Sequence, residues 1–305
     1  MNQIINAQFG DSSSRVSAAP PKKAKPSMYL LPNLVTACSL FFGFLSMRYA
    51  VDARFNGLAQ GYLFSAYCII VAAVCDGLDG SIARLTRTQS AFGVQLDSLC
   101  DLVSFGVAPS FLMYQFALHD LGRLGFAVSF IYALCGALRL ARFNVQSSLG
   151  KASGNFTGIP IPMAAMPIAV FVMANHDLMG WTAENGYQAF LVNIAHFFLI
   201  PEVQSKFALG ILFFLAIGMI STFEYISTKT LKLPKKRPFR VLSLILLISV
   251  LIFTFELSVT LTFLMIVYCA HGPILWFWSK KQVEPEEDEL FQTHYEPHEG
   301  QQEHE

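Results

Sequence analysis

Two pairs of aspartates dominate the chemistry open to this chain. The stretch from Cys75 to Asp101 reads CDGLDGSIARLTRTQSAFGVQLDSLCD. Asp76 and Asp79 stand three residues apart, and Asp97 and Asp101 four apart. On helices, both spacings put the two carboxylates of a pair on one face. The surrounding sequence is apolar, and a carboxylate near the centre of a membrane helix costs ~2.5–3.5 kcal/mol. Four together also repel one another, so the arrangement is sensible only if cations neutralise it. Oxygen-only donors indicate a hard divalent ion, Mg²⁺ or Mn²⁺. Two pairs suit two ions ~3.5–4 Å apart, the spacing that clamps a phosphoryl transfer. A structural polar network and a cation-transport path are the other readings that these residues leave open.

The residues between the pairs fit a site for a bulky anion. Gly80, Ala83 and Gly93 leave room for a group to approach the backbone, although membrane glycines equally serve helix packing. Arg84 stands one turn beyond Gly80, where it suits either a phosphate or an interfacial anchor. A short turn around Arg87–Ser90 makes the two flanking helices antiparallel neighbours, so the four carboxylates converge near one membrane surface.

The elements that carry these residues must be membrane spans. Of 305 residues, 54% are hydrophobic and 14% charged, against about 25% charged in a soluble domain. That excludes an ordinary soluble enzyme, and a net charge of zero implies no general attraction to nucleic acid. Eight stretches approach the ~20 residues a spanning helix needs, at 29–51, 58–84, 92–117, 121–146, 159–180, 207–227, 240–256 and 258–278. The expected fold is therefore all-α and polytopic. Tyr187–Ile200 is apolar but short, and reads as interfacial or re-entrant. Pro160, Pro162 and Pro167 suggest an irregular start to the fifth span, with backbone lining a polar site.

Residues 1–27 read as a disordered leader and 283–305 as a disordered acidic tail, whose His294, His298 and His304 are solvated. With eight crossings and a cytosolic N-terminus, seventeen of the 21 basic residues fall on the cytosolic side. Arg48, Arg54, Arg123 and Lys206 fall outside, a strong positive-inside bias. Both termini and the aspartates are then cytosolic. The six cysteines all fall in spans without a CxxC pair, and read as free small hydrophobes.

The pattern Asp76-x2-Asp79-Gly80-x2-Ala83-Arg84-x8-Gly93-x3-Asp97-x3-Asp101 resembles, position for position, the signature of the CDP-alcohol phosphotransferase family. Further segments resemble that family's bacterial membrane-integral phosphatidylserine synthases. They are Leu31–Thr36, Ser104–Pro109, Leu138–Asn144 and Gly158–Pro162. The resemblance covers about residues 28–170. It implies a catalytic core of six helices over 28–227, with two added spans over 228–282. It also implies a membrane enzyme that moves the phosphatidyl group of CDP-diacylglycerol to an alcohol, here L-serine, and releases CMP. Glycerol phosphate, inositol and choline are the alternative acceptors.

The resemblance further implies two Mg²⁺ or Mn²⁺ ions on Asp76, Asp79 and Asp97, with Asp101 as a further ligand or nearby and as general base. A carboxylate beside two cations is a weak base, which argues for Asp101 standing further from the ions than the rest. Asn33, Thr36, Asp76, Gly80, Ala83, Arg84, Ser90 and Gly93 would hold the CDP-lipid. Arg139 and Arg142, with Asn144, are the candidates for the acceptor's carboxylate and polar groups. A homodimer in the bacterial cytoplasmic membrane completes the expectation.

Overall fold

The computed structural model describes residues 26–86, 90–148, 156–181, 189–225 and 257–293. Among them are helices α1 (Pro26–Asn56), α2 (Ala59–Thr86), α3 (Ala91–Leu121) and α4 (Arg123–Ser148). They continue with α5 (Ile161–Leu178), α6 (Ala189–Leu199), α7 (Pro201–Ile220) and α8 (Leu257–Thr293). All but α6 are long and apolar enough to cross a membrane, seven spans in all among the described residues. Phe41, Phe44, Phe126, Phe130 and Phe213 are exposed on their outer faces, as expected where the solvent is lipid. The protein is an integral membrane protein. The expected span 240–256 lies outside the described residues, as do the turn residues 87–89, residues 1–25 and the tail histidines.

Three boundaries differ from the sequence expectation. The sixth span starts at Pro201, not at 207, because proline is favoured at a helix start and the polar side chains that follow are bonded. Gln204 donates to Asn175 Oδ1 at 3.0 Å, and the Ser205 hydroxyl donates to the Ala117 carbonyl at 2.7 Å. The tail expected to be disordered from 283 is helical as far as Thr293, since α8 runs on through its glutamates, which are good helix formers. The prolines of the fifth span begin a regular helix, with Pro162 in its first turn. The segment before it does not line a polar site. Phe156–Thr157 pairs antiparallel with Glu224–Tyr225, and the Ile159 N–H donates to the Gly218 carbonyl at 3.0 Å. Gly158 has φ +79°, open to glycine, and a side chain there would strike the Met219 carbonyl. Ile159 and Ile161 are fully buried in the core.

Helices α1, α2 and α3 pack closely through small residues and hydroxyls. A Cβ on Gly43 would come within 2.8 Å of Ser104 Cα, so only glycine allows this approach. The Ser104 hydroxyl donates to the Ser39 carbonyl at 3.0 Å, and Ser39 donates to the Ala72 carbonyl at 3.1 Å. Helix α3 is not uniform. After Asp101 it widens into a π turn over Leu102–Val107, a device frequent at functional sites. Pro109 has no N–H to give the Phe105 carbonyl. The buried Tyr132 hydroxyl donates to that carbonyl instead, at 3.2 Å.

The helices meet at two polar ends. One holds the aspartates. At the other, Arg54 donates to Asp120 at 2.8 Å and to His119 at 2.7 Å, and Ser258 is bonded to Asp177.

Candidate active site

The antiparallel hairpin of α2 and α3 brings the two aspartate pairs together, as their spacing predicts. Asp76, Asp97 and Asp101 each offer a carboxylate oxygen, and these oxygens lie within 4.8 Å of one another. All three are half-buried. Asp79 is buried and turns toward α1, where the Thr36 hydroxyl donates to its Oδ2 at 2.6 Å. No Lys, Arg or His nitrogen lies within 4.0 Å of any of the four among the described residues. Three clustered carboxylates without a protein counter-charge make a donor set for a hard divalent cation. Asp101 does not stand apart, as base chemistry led us to expect. It belongs to the compact group, and Asp79 is the member held by another partner.

The residues expected at the nucleotide fall into two sets. Asn33, Ser90 and Gly93 meet where α1 crosses the start of α3. Ser90 caps α3 by accepting the Gly93 N–H at 2.9 Å. A Cβ on Gly93 would lie 3.1 Å from Ser90 Oγ and 3.2 Å from Asn33 Oδ1, so its small size serves this packing. Gly80 is different: a Cβ there meets nothing within 4 Å, and no protein neighbour demands a glycine. Arg84 is exposed and folds back along its own helix, Nε donating to the Gly80 carbonyl at 3.0 Å. Ala83 is half-buried on the same helix. Thr36, expected at the substrate, is committed to Asp79.

The two arginines of α4 separate cleanly. Arg142 Nη1 donates to the Ile220 carbonyl at 3.4 Å, satisfying the end of α7, a favourable place for a cation. Arg139 instead faces the cluster, interacting electrostatically with Asp101 and with Tyr268 of α8. Its Nε is buried and has no hydrogen-bond acceptor among the described residues. Asn144 donates to Ser98 Oγ at 3.0 Å, so it ties α4 to α3 beside Asp97. Ser98 and Tyr268 were not singled out from the sequence. Ser98 directly follows Asp97 in the signature, which was the available signal, whereas no motif marks Tyr268. The cysteines are free, as expected.

Comparisons with known proteins agree with this geometry. The model of the CDP-alcohol phosphatidyltransferase family matches residues 29–201. A CDP-diacylglycerol–serine O-phosphatidyltransferase of Helicobacter pylori is 35% identical over 251 residues, covering 82% of this chain and 92% of its own. An archaetidylserine synthase of Methanothermobacter thermautotrophicus is 40% identical over 151 residues, covering 48% and 59%. A CDP-diacylglycerol–serine O-phosphatidyltransferase of Mycobacterium tuberculosis is 30% identical over 185 residues, covering 59% and 62%. The matched region contains most of α1, all of α2 to α6 and every aspartate of the cluster, so the chain belongs to the CDP-alcohol phosphatidyltransferase family.

Proposed function

We propose that this protein transfers the phosphatidyl group of CDP-diacylglycerol to the hydroxyl of L-serine, giving phosphatidylserine and CMP. The observation that carries this reading is a pairing across the site. The cluster of Asp76, Asp97 and Asp101 lies within electrostatic reach of Arg139, whose buried Nε has no hydrogen-bond partner among the described residues. The first suits a cation-bound diphosphate, and the second suits an acceptor that brings an anionic group, as serine does and as inositol and choline do not. Glycerol phosphate also brings one, and the relatives' names favour serine over it. The name borne by the Helicobacter pylori relative along nearly its whole length supports the same acceptor.

Asp76, Asp97 and Asp79, which Thr36 orients, would hold two Mg²⁺ or Mn²⁺ ions, with Asp101 as a further ligand or beside them. Bound there, such ions neutralise the diphosphate and the charge that develops on it. Gly80 and Ala83 leave the open face of α2 to the CDP-lipid, and Arg84 swings from the Gly80 carbonyl to a phosphate. Asn33, Ser90 and Gly93 form the wall beneath the nucleotide. Arg139 holds the serine carboxylate, while Arg142 and Asn144 fix α4 against α7 and α3. The serine oxygen attacks the phosphorus nearest the diacylglycerol, its proton passes to Asp101, and the bond to CMP breaks. Asp101 interacts electrostatically with Arg139, which supports a base close to the acceptor. A cation path is disfavoured, because α3 continues from Asp101 into Phe105, Leu112 and Met113, all fully buried in the apolar core.

Residues 28–227 form the catalytic core, 228–282 add two spans, and the protein is a homodimer of the bacterial inner membrane with the site and both termini cytosolic. Purified protein given CDP-diacylglycerol, Mn²⁺ and each alcohol in turn should release CMP with serine alone. Release with glycerol phosphate, inositol or choline instead would overturn the acceptor. A reporter fused after Lys281 that is active only on the outer face would overturn the orientation.

A further inference from the structure

Away from the aspartates, α7 and α8 both pack on α5 but barely touch each other. Between them lies a groove of about 380 Å³, within the ~300–1,000 Å³ of ligand clefts. Its walls are apolar: Phe207, Phe214 and Leu215 on one side, Met265 and Ile266 on the other. Two features distinguish it from ordinary lipid-facing surface. Gly210 lies in the middle of the α7 wall, and a Cβ there meets nothing within 4 Å among the described residues, so this glycine leaves space that none of them uses. Lys206 stands one turn before it and is the lone charged residue of the lining. No carboxylate lies within 4.0 Å of it among the described residues.

Along α7, the stripe from Lys206 to Leu215 rises ~13 Å at 1.5 Å per residue, roughly along the bundle. A cation at the mouth and an apolar slot running inward match an anionic headgroup joined to an acyl chain. We infer that this groove binds one anionic phospholipid, its phosphate at Lys206 and an acyl chain lying over Gly210. The inner end of the slot reaches Cys269, next in sequence to the Tyr268 that interacts with Arg139. The lipid is thus held against the same helix that carries Tyr268. The inference rests on the membrane fold alone and stands whatever acceptor the enzyme uses.

The test is native mass spectrometry of the full-length protein, delipidated in detergent and titrated with phosphatidylglycerol or phosphatidylcholine of identical chains. Wild type should retain one phosphatidylglycerol at least tenfold more tightly than phosphatidylcholine. Lys206→Glu, at an exposed position, should abolish the preference without touching the fold. Gly210→Leu should abolish retention of both lipids by filling the slot. Equal retention of the two lipids by wild type, or an unchanged preference in Lys206→Glu, would overturn the site and leave only exchanging surface lipid. If Gly210→Leu converts a dimer to a monomer with lipid retention intact, the groove is an interface between copies and the inference fails.

Discussion

Asp120 and Asp101 sit at opposite ends of α3, and they have opposite surroundings. Asp120 is exposed, yet Arg54 lies 2.8 Å away, and His119 is beside it at 3.3 Å. The same end pairs Asp52 with Arg48 at 3.4 Å, and Asp177 accepts from the Ser258 hydroxyl. Asp101 is half-buried, has two carboxylates against it, and has no basic nitrogen within 4.0 Å among the described residues. Burying a carboxylate without a partner is costly, so the second arrangement is the less stable one. The acids at the exposed end meet basic or hydroxyl side chains, whereas those at the buried end gather against one another, an arrangement suited to charge brought by a ligand. That difference is the one the proposed ion site requires.

The comparison breaks most easily at the carboxylates. Asp76→Asn and Asp97→Asn should each lower CMP release by at least ~10³-fold, as a site that stabilises developing charge is worth several kcal/mol. Chelation of divalent ions should do the same to wild type, with rescue by Mn²⁺ or Mg²⁺. Asp120→Asn at the other end should leave turnover within twofold. Matched rates for Asp97→Asn and wild type at limiting Mn²⁺ would remove Asp97 from the ion site.

Next in size is the split between the arginines. Arg139→Ala should raise the KM for serine by ~30-fold or more, the ~2–4 kcal/mol of a buried charge-assisted bond. Arg139→Lys keeps the charge but loses the planar fork, so it should raise the KM for serine by a smaller factor and change that for CDP-diacylglycerol less. Arg142→Ala should act on thermal stability through the end of α7, with the serine KM near wild type. A serine titration of the three variants decides between them. If Arg142 rather than Arg139 carried the serine effect, the assignment of the two would be reversed.

That split shows what a sequence can and cannot display. The aspartate hairpin was legible because it is local: two pairs at helical spacing, joined by a short turn, can meet in one way. Arg139 and Arg142 are three residues apart, nearly on one face, and nothing local separates them. What does so is the Ile220 carbonyl ending α7 and Tyr268 on α8, 78 residues from Arg142 in one case and beyond the signature in the other. The same limit hid the commitment of Thr36 to Asp79, 43 residues away. Hydropathy placed the sixth span late because Gln204, Ser205 and Lys206 look like loop. In the structure, the first two are bonded to Asn175 and Ala117 from other helices.

A smaller effect should follow from Thr36→Val, which keeps the shape and removes the donor to Asp79. A hydrogen bond to a charged group contributes ~1.5–3 kcal/mol. Asp79 would then be oriented less firmly, and the Mn²⁺ concentration for half-maximal CMP release should rise several-fold, with the serine KM unchanged. An unchanged Mn²⁺ requirement would mean that Asp79 is held by its helix rather than by Thr36.

The smallest effect should come from the end that is already satisfied. Arg54 and Asp120 make a close pair, but the Asp120 side chain is 77% exposed. Exposed pairs gain little Coulomb energy in water, lose side-chain entropy on pairing, and are screened by salt. A double-mutant cycle of Arg54→Ala and Asp120→Ala should therefore give a coupling of only ~0.2–1 kcal/mol in thermal unfolding. The coupling should shrink further between low salt and 1 M salt, where the screening length falls to ~3 Å. Serine-dependent CMP release should be within twofold of wild type in all three variants. The opposite result, a large coupling that survives salt together with lost turnover, would show that the two ends of α3 are mechanically linked across the π turn at Leu102–Val107. The contrast between a working end and a structural end would then give way to a single coupled helix.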